Sequence, residues 1–398
     1  MNKKVSVLNI MNILIVIQLL FSLFSGILVV INPLFSVLFY LSDFLNLLLL
    51  IFMFTLWFSD NKKIIIKHYE IIWFTFFVFY SIVSFFWSDY NFYGAFSRLR
   101  YILGMFIFYI CCRNFLKINY YRMIIRLLCI VQVINAILVF YQNQMLNLHP
   151  DFCNGIFGTG YANGIEGTFC LAFSVLSFVN YLTGNWKLYK VILLFTLSST
   201  ICALAEIKIY FVIFIICSVV IVFFQKRSFK EYIRLLLIII AVVITFLISY
   251  RIIQFILPDN LGTFFSIDKS LSYEKRTTFA GRTNTIPFIF NNVFHKNIFT
   301  SLFGEGLGEC SKLFIYELGK SFSDFGFLGL LFLFSFFISL FVKILRTNNY
   351  SSQQLFVSSF SIGIMISVIV WNAVFIPSAY FVFFFLSVHN FYQYGGEI

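Results

Sequence analysis

From Ile15 to Val30 the chain reads IVIQLLFSLFSGILVV, an apolar run with only scattered small or amide residues. Similar runs recur to the far end of the chain. Neither a two-residue nor a 3.6-residue period sets aside a polar face within them, so they are not half-exposed strands or surface helices. Membrane barrels are excluded as well, because their strands alternate apolar and polar residues. What remains is helix after helix in hydrocarbon, each needing about 20 apolar residues. Composition agrees: 61% of the 398 residues are hydrophobic and 11% charged, against roughly 25% charged in a soluble domain. A soluble enzyme, a disordered chain and a disulfide-stapled secreted domain are ruled out.

Polar punctuation divides the runs into expected spans near 8–30, 34–58, 71–87, 99–116, 123–145, 164–182, 189–205, 208–224, 233–257, 322–342, 355–376 and 378–394. The first follows Lys3 and Lys4, is too long for a signal-peptide core and lacks a small-residue cleavage site, so it is expected to stay as an anchor. The net charge of +12 would suggest nucleic acid in a soluble protein. Here the basic residues instead cluster in alternate connections, such as Lys62, Lys63, Lys67, Arg113, Lys117, Lys226, Arg227 and Lys230. Under the positive-inside rule this places both termini in the cytoplasm. The fold class expected is all-α: a polytopic membrane protein of about 12 transmembrane helices, residues 1–398 forming one integral membrane domain. The 58 phenylalanines are read as base composition, without a mechanism.

Most connections are short, but residues 258–321 form one long external loop between the ninth and tenth spans. A smaller outer loop, 146–163, is rich in Gly and Asn. No internal repeat relates the halves, whereas secondary transporters often carry one; a single large loop suits chemistry at the outer face. Within the loop, Ile286, Ile289, Phe290, Val293 and Phe294 recur at helical spacing, with Pro287 near the start and Thr283 or Thr285 available as cap. An amphipathic helix on the membrane or across the bundle is expected. Gly281-Arg282 precedes it, and Gly304, Gly306 and Gly308 follow in FGEGLGE; these glycines are expected to act as hinges of a lid.

Charges at membrane depth are costly and therefore candidates for function. Asp43 lies mid-span, Glu166 opens the sixth span, and Glu206 and Lys208 share the short turn Ala205-Glu206-Ile207-Lys208. Arg98 and Arg100 begin the fourth span on the outer side. Arg98, Arg100, Lys208 and Arg282, with Glu206, Glu305 and Asp324, form a basic outer-face set with a few acids, suited to gripping a phosphate or pyrophosphate. There is no D-x-D, Walker, H-E-x-x-H or G-x-S-x-G motif, and His68, His149, His295 and His389 are isolated. No metal site and no cofactor are expected. Six cysteines lie in or beside apolar runs, while Cys153 and Cys310 fall in outer loops and could pair.

Six short segments in this order carry a resemblance: Phe86-Trp87-Ser88-Asp89, Gly158-Thr159-Gly160-Tyr161-Ala162-Asn163, Ala205-Glu206-Ile207-Lys208, Gly281-Arg282, Gly304-Glu305-Gly306-Leu307-Gly308 and Asp324-Phe325-Gly326-Phe327-Leu328-Gly329. Together with the long loop they resemble the O-antigen polymerase and O-antigen ligase superfamily of bacterial envelope glycosyltransferases. Three departures stand out. Lys208 occupies a turn where many members have Arg. The tryptophan usual after Gly-Arg is absent. Ligases carry a histidine late in the long loop, and CSKLFIYELGKSFSDFG has none. The resemblance therefore favours a polymerase over a ligase.

It implies a multi-pass enzyme of the bacterial cytoplasmic membrane joining oligosaccharide repeats carried on undecaprenyl pyrophosphate into a surface polysaccharide (O-antigen, capsule or exopolysaccharide). Arg282 and Lys208 would neutralise the pyrophosphate, and Arg98 or Arg100 would hold the other phosphate. Glu206 or Asp324 would accept the proton, while Asn163, Gly304, Glu305 and Gly306 would line the substrate. Expected partners are the lipid-linked oligosaccharide, membrane lipid, a chain-length regulator and a flippase, and no nucleic acid. A lipid-linked oligosaccharide flippase is the alternative from another class.

Overall fold

The computed structural model describes residues 2–60, 68–88, 92–160, 162–224, 232–240, 242, 244, 247, 251, 285–294, 296–308, 316–346, 351–370 and 374–388. Among them the fold is all-helical. The main helices are α1 (Asn2–Ile31), α2 (Leu38–Asp60), α3 (Tyr69–Phe85), α4 (Phe92–Phe115), α5 (Ile118–Gln144), α6 (Asn163–Leu182), α7 (Leu188–Leu204) and α8 (Lys208–Phe224). Then follow two short pieces, α9 (Thr285–Ile289) and α10 (Ile298–Phe303), and α11 (Glu317–Arg346), α12 (Ser352–Val370) and α13 (Tyr380–Ser387). Among the described residues, seven helices are long and apolar enough to cross a membrane, in α1, α2, α4, α5, α6, α11 and α12; α3, α7, α8 and α13 are shorter apolar helices. The chain is a multi-pass membrane protein. Of the expected ninth span, 233–257, only part lies within the described residues.

Two helices form the centre. The apolar window of α6 is 94% buried, and every residue of α13, YFVFFFLS, is buried. A helix apolar on all sides finds a stable place only inside such a bundle. Lipid tails supply no hydrophobic drive between helices, so shape and interhelical hydrogen bonds decide the packing. The phenylalanines provide the shape: Phe74 packs on Phe336 at 4.6 Å and on Tyr109 and Phe383 at 5.6 Å between ring centres. Phe77 meets Phe325 at 5.0 Å and Phe375 at 5.4 Å. Their abundance thus has a use in the core, whatever its origin in base composition.

Buried amides supply the hydrogen bonds. Asn12 Nδ2 donates to the Phe115 carbonyl at 3.1 Å while its Oδ1 accepts from the Lys117 amide at 2.8 Å, tying α1 to the α4–α5 turn. Asn46 donates to the Tyr380 hydroxyl at 2.5 Å and Gln18 to Ser42 at 2.6 Å.

The smaller loop departs from expectation. Cys153 to Phe157 are buried rather than lying over the surface. The Gln142 amide reads this backbone from three sides, accepting from the Gly155 amide at 2.7 Å and donating to the Gly155 and Gly158 carbonyls at 3.1 and 3.2 Å. A side chain at Gly26 on α1 would collide with the Phe157 carbonyl. Buried irregular backbone is tolerated at membrane depth when protein satisfies its polar groups in this way.

Candidate functional site

Helices α3, α4 and α11 pack together and carry one charged cluster at each end. Arg98 lies in the second turn of α4 and meets two acids from the start of α11. Its Nη2 bonds Glu317 Oε1 and its Nε reaches Asp324 Oδ2 at 3.2 Å, with Ser321 Oγ 3.3 Å from Nη2. The side chains of Glu317 and Asp324 are 1% and 3% exposed. Glu317, Ser321 and Asp324 fall at i, i+4 and i+7, which puts them on one face of α11. The other end holds Glu70 of α3 between Arg113 of α4, at 3.1 Å, and Lys343 of α11. From Arg98 to Arg113 the helix rises about 22 Å, and the interior between is aromatic.

The glycine loop wraps around the first cluster. The Gly308 amide donates to Asp324 Oδ1 at 2.9 Å. Glu305 bonds Ser323 twice, amide to carbonyl at 2.7 Å and carboxylate from hydroxyl at 3.0 Å, and also pairs with Lys296. Ser88, three residues beyond α3, donates to the Leu307 carbonyl at 2.7 Å, and Ser84 donates to the Asp324 carbonyl at 3.2 Å. Tyr80 stands 2.9 Å from the carbonyls of both Phe303 and Phe325.

Gly304, Gly306 and Gly308 are therefore close-contact positions in this structure. A Cβ on them would lie 2.7 Å from Asp324 backbone, 2.6 Å from Ser88 Cα and 2.5 Å from the Ala95 amide respectively. Nor does the loop present a free phosphate cradle, since the amides of Gly304, Glu305 and Gly308 already serve the Thr300 and Ser323 carbonyls and Asp324.

Gly326 breaks α11 (φ 62°, ψ −165°) where the chain crosses the loop, its ideal Cβ position lying 2.4 Å from the Gly304 nitrogen. Gly326→Ala combines a left-handed backbone with backbone overlap and is expected to cost about 2–4 kcal/mol. A denaturation midpoint in detergent unchanged from wild type would contradict that.

The amphipathic segment is α9 followed by a π-helical turn, Phe290–Phe294. Ile289 and Val293 face inward onto Phe322 and Leu330, while Ile286, Phe290 and Phe294 are exposed. Only two of the five expected apolar positions are buried against protein. Thr285 opens α9, while Thr283 lies outside the described residues.

The sequence-derived candidates divide as follows. Arg98, Asp324, Gly304, Glu305 and Gly306 come together, with Arg98 engaged by carboxylates. Arg100 points to a different neighbour, its Nη1 3.3 Å from Asp43 of α2. Asn163 Nδ2 bonds Asp151 Oδ1 at 3.1 Å at the start of α6. Glu166 is buried, accepting from Asn135 at 2.6 Å and from the Cys170 thiol at 3.6 Å. Arg282 and Cys310 lie outside the described residues. Burial pushes the Cys153 thiol up from its ordinary range.

Glu206 and Lys208 form the turn between α7 and α8. Its amides follow a Schellman pattern, Ile207 to the Cys202 carbonyl at 2.7 Å and Glu206 to the Ala203 carbonyl at 3.2 Å. Glu206 takes the left-handed position, φ 52°, usually given to glycine. Glu317 lies ahead of the expected span, 322–342, because the helix begins five residues before the apolar run. Its spacing to Ser321 and Asp324 was the available signal.

The fold and this cluster define a multi-pass helical membrane protein with an ion-paired, loop-covered site at one end of the α3–α4–α11 unit. Compared with known families, curated proteins and solved structures, the chain matches none.

Proposed function

We propose that this chain is a polysaccharide polymerase of the bacterial cytoplasmic membrane, with twelve spans and both termini cytoplasmic. Its substrates are oligosaccharide repeats on undecaprenyl pyrophosphate. A hydroxyl of the incoming repeat attacks the anomeric carbon of the growing chain, undecaprenyl pyrophosphate leaves, and a carboxylate takes the hydroxyl proton. The observation that carries the reading is a convergence. Ser88, the Gly304–Gly308 loop and Asp324 belong to three separate motifs of the resemblance, and with Arg98 they are joined by hydrogen bonds at one end of the bundle.

In this reading Arg98 does not hold phosphate. It neutralises Asp324 and Glu317 and fixes the loop, leaving Lys208 and Arg282 for the pyrophosphate. Both Asp324 oxygens are engaged, which moves the proton-accepting role towards Glu206. Glu206 occupies a backbone conformation that costs a non-glycine residue about 1–2 kcal/mol, so its side chain earns its place by something other than stability. Glu206→Gly is therefore expected to stabilise the protein by about 1 kcal/mol while abolishing polymer on a gel of surface polysaccharide. Lys208→Ala should lose polymer at normal membrane levels. Full-length polymer from both variants would sink the assignment.

A lipid-linked oligosaccharide transporter is the second reading, favoured by Glu166, a fully buried acid whose Oε2 has no hydrogen-bond partner among the described residues. A deletion strain separates the two. Single repeats displayed at the surface mark a lost polymerase, and lipid-linked repeats held on the inner leaflet mark a lost flippase.

A further inference from the structure

Arg100 and Asp43 form a charge pair on an otherwise apolar edge of the bundle. Arg100 lies about 12 Å into α4 and Asp43 about 8 Å into α2, measured from the helix ends nearest the Arg98 cluster. From there a long arginine side chain extends towards the headgroup level of a bilayer by snorkelling. Around the pair the surface is aromatic and exposed, with Tyr40 59%, Phe44 54% and Phe96 48% accessible. The guanidinium stacks on Tyr40 at 5.3 Å and Tyr101 at 4.8 Å, and its Nη2 donates to the Tyr101 hydroxyl at 2.8 Å.

The pair does not satisfy itself. One contact of 3.3 Å joins it, the Asp43 side chain is 30% exposed, and Arg100 Nε is buried with no hydrogen-bond partner among the described residues. An anionic headgroup would meet the Asp43 carboxylate beside the arginine. A headgroup carrying both charges avoids that repulsion, its cation facing the carboxylate.

We propose that the α2–α4 edge binds the headgroup of a zwitterionic phospholipid with a primary ammonium, its phosphate on Arg100 and its ammonium on Asp43 under the Tyr40 ring. The acyl chains then run along the exposed apolar faces of α2 and α4. A positive charge over an aromatic face adds to the hold on the ammonium, and a charge-assisted hydrogen bond at each end sets the headgroup preference. This site needs only the membrane fold and is independent of the polymerase reading.

The test is native mass spectrometry of the delipidated full-length protein titrated separately with phosphatidylethanolamine, phosphatidylglycerol and undecaprenyl phosphate. The ethanolamine lipid should bind at about tenfold lower concentration than either anionic lipid, the worth of one charge-assisted hydrogen bond. Arg100→Gln and Asp43→Asn, checked for monodispersity by gel filtration, should each remove that preference. Equal or tighter binding of phosphatidylglycerol or undecaprenyl phosphate by the wild-type protein overturns the proposal without recourse to any variant. Monodisperse Arg100→Gln protein that keeps the preference overturns it as well.

Discussion

Arg98→Ala is expected to cost about 3–5 kcal/mol, the usual penalty for removing one partner of a buried ion pair. The variant leaves Glu317 and Asp324 facing each other with nearly no solvent, and the Gly308 amide then bonds a carboxylate that must either take up a proton or move. Since Asp324 also anchors the loop to α11 and, through its carbonyl, to Ser84 of α3, the loss spreads across three elements. Thermal or denaturant unfolding in detergent measures it. Combining Arg98→Met with Glu317→Met and Asp324→Asn should recover part of the stability, because a buried charge cluster replaced by apolar groups is often nearly neutral and the amide oxygen at 324 can still accept from the Gly308 amide. An Arg98→Ala midpoint matching wild type would show that the cluster does not hold this end together.

The opposite end should respond as strongly to Glu70→Gln. Glu70 is fully buried in the first turn of α3, and its Oε1 meets both Arg113 and Lys343. Acids are favoured in a first helical turn and bases in a last one. Arg113 closes α4 and Lys343 lies near the end of α11, so one carboxylate links three helix ends. Removing its charge leaves two cations together at a buried site, for a loss of about 3–5 kcal/mol. Adding Lys343→Met to Glu70→Gln should restore part of it, since one remaining cation is easier to accommodate than two. If the double variant is no more stable than Glu70→Gln alone, the repulsion account is wrong.

The candidate site was partly legible in the chain. Arg98, Asp324 and the Gly304–Gly308 stretch could be singled out because charge and glycine stand out against apolar runs. Their mutual bonding could not, because Arg98 and Asp324 are separated by several intervening helices. The purpose of the glycines was also hidden. A sequence shows that a Cβ is missing, and only the neighbouring backbone shows whether the space serves motion or contact. Glu317 is inconspicuous in the sequence for a local reason. Hydropathy begins a span at its first apolar run, whereas the helix begins earlier, at a polar turn carrying the acid that pairs with Arg98.

Membrane embedding and helical class follow from the sequence alone, since a bilayer admits only backbone that satisfies its own hydrogen bonds, and solid apolar runs do so as helices. Hydropathy also locates most helices to within a few residues. Which helices meet is a different matter. Between lipid-exposed helices, apolar surface gains nothing by burial, so pairing rests on aromatic fit, buried amides such as Asn12 and Gln142, and ion pairs between distant residues. Those contacts are decided by three-dimensional neighbours. They turned Arg98 from an open cation into the centre of a clamp, and drew the loop around Gly155 from the surface into the bundle.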